Sequence, residues 1–293
     1  MNNGTAEFTE VSTSRRIEAY GTTIHYHDVG QGEPLVMLHA WGPGSTAWSL
    51  FSKILPTLAT TFRCIAIDMP NYGSTGPLYR DESIYFMQAN AARAVMSALG
   101  LESANFLGHS QGGQSALTFA TLYPEAVRRL VIGGHHTGAS GGEYLFGMGD
   151  EEGIRVAYPA FEDPTPENMR RYAELCVADR SLITDALVAY LIERYTARPD
   201  ITAAHLKMQY GPRHDLGVLM PDLQIPTLVM WGRDDRTCGW EIGVRIFNMI
   251  PDAQLVVMKG AGHWLPFEKP HEYAAHAMAF LAQDRSGSAR SET

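Results

Sequence analysis

Apolar positions recur along the chain with two different periods. Residues 22–29 (TTIHYHDV) alternate apolar and polar side chains, the pattern of a strand half exposed to water, and stop at Gly30 and Gly32. Residues 34–39, 62–67, 104–107, 130–132, 226–231 and 254–258 are short runs that are apolar almost throughout, as strands covered on both faces are. Between them, 83–99, 112–123, 241–249 and 271–281 carry apolar side chains at three- and four-residue spacing and predict helices. Strands alternating with helices in this way predict an α/β chain on a largely parallel sheet with crossover helices.

The rhythm breaks once. From about 141 to 211 no strand pattern occurs, whereas 166–179 and 182–197 read as helices, with Met148, Met169 and Met208 scattered through the stretch. A helical cap (141–211) is therefore expected between two parts of one core (1–140 and 212–285). Its edges are marked by Gly138, Gly141 and Gly142 on one side and Gly211-Pro212 on the other. Residues 286–293 hold no apolar side chain beyond one alanine and predict a disordered tail.

Composition narrows the functional classes. At 293 residues with 45% hydrophobic and 19% charged positions, the chain can build a core without disulfide or metal staples. The formal net charge of −9 argues against a general binder of nucleic acid or anionic membrane, which needs a basic face, so a small molecule is the expected partner. A homodimer is compatible with this reading. Cys64, Cys176 and Cys238 are odd in number and far apart with no C-x-x-C pair, so neither a disulfide framework nor a thiolate zinc site is expected. The first sixteen residues lack the apolar stretch of a secretory leader, and no apolar run approaches the roughly 18 residues of a membrane span. A cytoplasmic protein without cofactor or metal is expected.

The chemistry begins at Gly108-His109-Ser110-Gln111-Gly112, a G-x-S-x-G string. A short apolar run precedes it and a helical pattern follows, and a serine on such a strand-to-helix turn is pushed out above the sheet edge. A serine hydroxyl is a poor nucleophile at neutral pH unless an imidazole takes its proton and a carboxylate fixes that imidazole's tautomer. Both candidates lie downstream. The run 226–231 leads into Gly232-Arg233-Asp234-Asp235, and 254–258 leads into Gly260-Ala261-Gly262-His263-Trp264. Each follows a strand at its carboxyl end, where an open α/β sheet places its site. After the strand at 34–39, the loop His39-Ala40-Trp41-Gly42-Pro43-Gly44 is placed to give a backbone N–H to an oxyanion, from Ala40 or Trp41, beside the N–H of Gln111.

From about Gly30 to the helix near Leu281, these strings resemble the α/β-hydrolase superfamily, with G-H-S-Q-G-G as nucleophile elbow, W-G-R-D-D as acid loop and G-A-G-H-W as histidine loop. The resemblance implies an α/β-hydrolase fold with Ser110, Asp235 and His263 as catalytic residues, Asp235 being favoured over Asp234 by its distance from the loop glycine. It also implies Gln111 and Trp41 as the oxyanion hole. The string H-x-x-G-P-G, Trp264, the cap segment Glu167-Asn-Met-Arg170 followed by 178–185, and Asp235-Arg236 resemble a narrower group, the meta-cleavage product hydrolases. These split the carbon-carbon bond of 2-hydroxy-6-oxohexa-2,4-dienoates. The implied substrate-binding residues are Ala40, Gly42, His109, Arg194 and Trp264.

Three positions depart from that group. His109 stands where asparagine is usual before the nucleophile, and Leu50 where asparagine is usual after G-P-G. The cap arginine that grips the substrate carboxylate aligns without a gap on Leu191, and on Arg194 if the helix carries three extra residues, a shift that keeps nearly the same face. The alternative for Arg194 is a solvated arginine beside Glu193. His135-His136 are expected near the site in lining or hydrogen-bonding roles, not on a shared metal, and Asp68 is assigned to structure. Carbon-carbon hydrolysis, ester or lactone hydrolysis, and a ligand-binding receptor on the same fold all remain open from these residues.

Overall fold

A computed structural model of the chain describes residues 8–136, 152–209 and 215–283. Eight strands form one sheet in the order β1-β2-β4-β3-β5-β6-β7-β8. β1 (Ser14–Ala19) and β2 (Thr22–Val29) form an antiparallel pair, and β2 runs antiparallel to β4 (Phe62–Ile67). From β4 onward, through β3 (Glu33–Leu38), β5 (Ala104–His109), β6 (Val127–Gly133), β7 (Thr227–Gly232) and β8 (Ala253–Met258), all pairings are parallel. Parallel pairing puts the carboxyl ends of β3, β5, β6, β7 and β8 along one edge, the position of the site in open α/β sheets.

Alternate side chains of each strand feed two cores. Val36, Leu38, Phe106 and Ile132 meet α4 (Ile84–Ala98), α5 (Gln111–Leu122) and α10 (Trp240–Met249) on one face. Leu35, Met37, Leu107 and Val131 meet α2 (Ala47–Phe51), α3 (Leu55–Leu58) and α12 (Pro270–Leu281) on the other. Helix ends follow local chemistry. Ser83 caps α4 by accepting from the Tyr85 N–H, and Thr184 caps α8 (Asp185–Thr196) by accepting from Leu187. As assigned from sequence, Asp68 is structural. Its carboxylate accepts the Ala47 N–H at 2.9 Å and meets His25 Nδ1 at 2.8 Å, tying the β4 loop to α2 and β2.

Several elements differ from expectation. The histidines of β2 do not face water, because His25 bonds Ser14 and Asp68 while His27 Nδ1 meets Thr13 Oγ1 at 2.8 Å; Thr22, Thr23 and Asp28 are half-exposed. β8 was expected to be covered on both faces, but it is an edge strand and mostly half-buried. Between β6 and β7 lie α6 (Glu152–Glu162), α7 (Pro166–Leu175), α8 and α9 (Pro199–Gln209), of which only α7 and α8 were anticipated. These helices share an apolar cluster in which Met169, Tyr172, Val188 and Leu191 meet Trp41 and Trp264 from the sheet domain. The expected boundaries 140/141 and 211/212, with Gly138, Gly141, Gly142, Met148 and Gly211-Pro212, lie outside the described residues, as does the tail 286–293. Among the described residues no helix is long and apolar enough to cross a membrane.

Candidate active site

β5 is buried along its whole length and ends at His109; the chain then reverses at Ser110 with φ 55° and ψ −126° before α5 begins. A non-glycine residue at positive φ carries backbone strain, and such strain collects at functional turns. Two hydrogen bonds hold the turn: Ser110 N–H donates to the Gly133 carbonyl at 2.8 Å and Gly112 N–H to the His39 carbonyl at 2.9 Å. Position 112 must be glycine, because a Cβ there would sit 2.1 Å from the Leu38 oxygen.

His263 reaches the serine from the loop after β8. Its Nε2 is 3.0 Å from Ser110 Oγ, and its Nδ1 is 2.8 Å from Asp235 Oδ2. The other oxygen, Oδ1, accepts the N–H groups of Thr237 at 2.7 Å and Cys238 at 2.9 Å. Both carboxylate oxygens are thus engaged. The imidazole presents Nδ1–H to the acid and an Nε2 lone pair to the hydroxyl, so the arrangement can take the serine proton as Oγ attacks a carbonyl. Asp234 is exposed and accepts the Gly260 N–H at 2.7 Å, so it braces the two loops and does not face His263.

The ring of His109 lies against His263, at 5.4 Å between centroids, and its Nε2–H donates to the His263 carbonyl. Burial, with the neighbouring His263 second, pushes this imidazole down to about 3, so it stays neutral. The adjacent pair at 135–136 diverges. His135 Nδ1–H donates to the His136 carbonyl at 2.9 Å, whereas His136 Nε2 lies 3.4 Å from Cys238 Sγ. Among the described residues no group of three or more His, Cys, Asp or Glu is placed to hold a metal.

Gln111 opens α5, where an N–H has no partner four residues back in the helix. Its side chain turns inward, the amide oxygen accepting from Tyr72 Oη and from Gln88 Nε2. The bond from Gly112 to His39 brings the loop containing Ala40 and Trp41 beside this helix terminus. Trp41 packs on Phe161 of α6 at 4.7 Å, and its carbonyl accepts from Tyr172 Oη at 3.3 Å. Ala40, Gly42 and Trp264 line one cleft together with Leu50, Leu187 and Leu191, and every side chain along it is uncharged. Arg194 instead lines a neighbouring cleft that shares Gly42 and Ser45 with the first and includes Tyr72, Arg198 and His205. Its guanidinium, partly open to solvent, pairs with Glu10 at 3.2 Å and lies over the Tyr190 ring. Glu268 was missed from sequence, although it is the lone charge in the run L-P-F-E after the histidine loop.

A strained serine between strand and helix, relayed through His263 to Asp235 at the carboxyl edge of a mixed sheet, is the architecture of one enzyme class. The α/β-hydrolase fold model matches residues 33–270, and the chain belongs to that family. The protein is a hydrolase, and its relatives extend the resemblance read in its motifs. A 2-hydroxy-6-oxononadienedioate/2-hydroxy-6-oxononatrienedioate hydrolase of Paraburkholderia phymatum is 33% identical over 288 residues, covering 95% of this chain and 99% of that protein. The structure of the meta-cleavage product hydrolase CumD from Pseudomonas fluorescens has a TM-score of 0.81 at 26% identity, over 93% of this chain and 98% of the other. An esterase from a Rhodococcus species has a TM-score of 0.77 at 26% identity, over 92% and 99%.

Proposed function

We propose that Ser110 is the nucleophile of a hydrolase that cleaves the carbon-carbon bond beside the ketone of a 2-hydroxy-6-oxohexa-2,4-dienoate type ring-cleavage product. The observation that carries the chemistry is the relay from Ser110 through His263 to Asp235, at 3.0 and 2.8 Å. The bond class rests on the 33% identity across nearly the whole chain to a hydrolase of a dienedioate. The substrate enol first ketonises. Ser110, or a water activated through His263, then adds to the ketone carbon, and the new oxyanion is held by the backbone N–H groups of Gln111 and Trp41. The carbon-carbon bond breaks with its electron pair on the dienol fragment, which takes a proton from His263, and water releases the acid from the enzyme.

In this reading residues 141–211 form the cap, set between 1–140 and 212–285, and Ala40, Gly42, His109 and Trp264 border the substrate. Arg194 takes the substrate carboxylate in exchange for Glu10. The partner is a small molecule, and the cytoplasm suits a chain whose three cysteines are buried thiols outside any disulfide.

One observation favours a second reading. The cleft beside Ala40 and Trp264 is walled by Leu50, Leu187 and Leu191, and a carboxylate placed there meets no cation to offset its desolvation. A neutral ester or lactone fits that wall. A panel of p-nitrophenyl esters, lactones and coloured ring-cleavage dienoates separates the readings. The dienoates are expected to give the highest kcat/KM; ester turnover without dienoate turnover would replace the first reading with the second.

A further inference from the structure

We propose that Glu268 is a positioning residue that makes docking of the helical segment over the site and orientation of His263 a single event. The inference rests on His263 being the base of the proposed reaction. Glu268 ends α11 (Leu265–Glu268), five residues after His263, and is 9% exposed. Its carboxylate accepts three backbone N–H groups from two parts of the chain. Oε1 takes Ala178 at 2.8 Å and Asp179 at 2.7 Å, in the segment that follows α7. Oε2 takes Gly262 at 2.6 Å, the residue before His263. Hydrogen bonds from backbone N–H groups to a buried ionised carboxylate are of the strong, charge-assisted kind.

The two segments bridged by this carboxylate also touch directly. Trp264 N–H donates to the Cys176 carbonyl at 2.8 Å, and a Cβ on Gly262 would sit 2.9 Å from that same oxygen and from the Val177 backbone. The acid loop joins in, for Arg236 Nη2 donates to the Glu174 carbonyl at 3.1 Å. His263 is therefore gripped on both sides of its own backbone. Glu268 and Cys176 hold Gly262 and Trp264, and His109 holds the His263 carbonyl. If the 176–179 segment lifts, Glu268 loses two of its three donors, and the clamp on Gly262 loosens with it. Residue type and length both matter. A glutamine amide would set an NH2 against one of the donors, and an aspartate is one methylene too short to span them.

The test uses the full chain and a small neutral organophosphonate with a p-nitrophenolate leaving group. This probe forms a bond from Ser110 Oγ to phosphorus and reports activation by His263 without needing the substrate cleft. Hydrogen exchange of the Ala178, Asp179 and Gly262 amides is followed in parallel. Glu268→Gln is expected to slow phosphonylation at least twentyfold, to lower kcat far more than it changes KM, and to speed exchange at all three amides together. Glu268→Asp, which keeps the charge, serves as the same test if Glu268→Gln does not fold. Unchanged phosphonylation with fast exchange would reduce Glu268 to a staple and overturn the proposal. Slowed phosphonylation with Ala178 and Asp179 still protected would remove the coupling and also overturn it. His263→Ala is the control: if it reacts at the wild-type rate, the base assignment has failed, and not the role of Glu268.

Discussion

Changing Asp235 to asparagine isolates the electrostatic part of the relay, because the surrounding hydrogen bonds dictate how the amide must sit. Oδ1 of Asp235 accepts two backbone N–H groups, from Thr237 and Cys238. An asparagine oxygen is the only atom of the amide that can take that place, so its NH2 is forced toward His263 Nδ1, 2.8 Å from the present Oδ2. The imidazole must then accept at Nδ1 and carry its proton on Nε2, facing Ser110 Oγ at 3.0 Å, where it can no longer remove the serine proton. The opposite amide flip sets NH2 against two N–H donors in a buried site, at a cost of about 1 to 3 kcal/mol per unsatisfied group. Inverting the tautomer in this way costs about four orders of magnitude in kcat in the serine-protease case, or roughly 5.5 kcal/mol. Asp234→Asn is different. Its oxygen can still accept the Gly260 N–H, and the side chain is exposed, so a change within about 0.5 kcal/mol is expected. Steady-state kcat on a p-nitrophenyl ester, with thermal melts to confirm folding, measures both. Equal losses in the two variants, or less than a tenfold loss for Asp235→Asn, would refute the tautomer argument.

Arg194→Ala should weaken use of dienoates by about 2 kcal/mol, the low end for a buried charge pair because part of its side chain meets solvent, while neutral esters change by less than about 0.5 kcal/mol. Equal small effects on both classes would leave Arg194 as a latch to Glu10. Acid should destabilise the fold through its buried neutral histidines. Burial holds His109 at about 3, and His27 and His135 at about 4, against 6.5 when unfolded. Below pH 6.5 the unfolded chain binds more protons, so stability is present above that pH and lost as pH falls toward 4, by up to about 1.4 kcal/mol per pH unit for each imidazole. Urea midpoints between pH 7 and 4.5 should fall, and fall less steeply in His109→Asn; midpoints flat over that range would contradict the buried neutral histidines.

Much of the fold was legible because its central strands are apolar on both faces. β5 and β7 are buried at every position, and the apolar runs that mark them end at Leu107 and Trp231, two residues and one residue before the strands do. The three side chains of the relay were legible for a related reason: Ser110 and Asp235 follow such strands, and His263 follows β8, whose sequence is apolar although it lies at the sheet edge. What escaped was set by tertiary contacts. β1 reads S-R-R-I-E-A, with no apolar stretch, because it is an edge strand with its charged side chains in water. β8 reads as an interior strand because it has apolar side chains on both faces despite its edge position, Leu255 and Val257 packing on the core that holds α10 and Val256 and Met258 on the core that holds α12. Helix α6 carries Pro159 inside it, and α9 has weak periodicity, so local signals argued against both. The partner of Arg194 was invisible because Glu10 lies 184 residues away. Glu268 was missed because two of the backbone donors it serves come from a segment some 90 residues upstream.

The central claim is tested most directly by incubating the purified protein with a coloured 2-hydroxy-6-oxo dienoate in isotopically labelled water. Loss of the visible absorbance should accompany release of a 2-hydroxypenta-2,4-dienoate and of the acid derived from the ketone end, with one labelled oxygen in its carboxylate. Ser110→Ala should abolish turnover while leaving the melting temperature close to that of the native protein. A wild-type protein that leaves the dienoate colour intact, or a Ser110→Ala variant that retains a third of native kcat, would contradict the account.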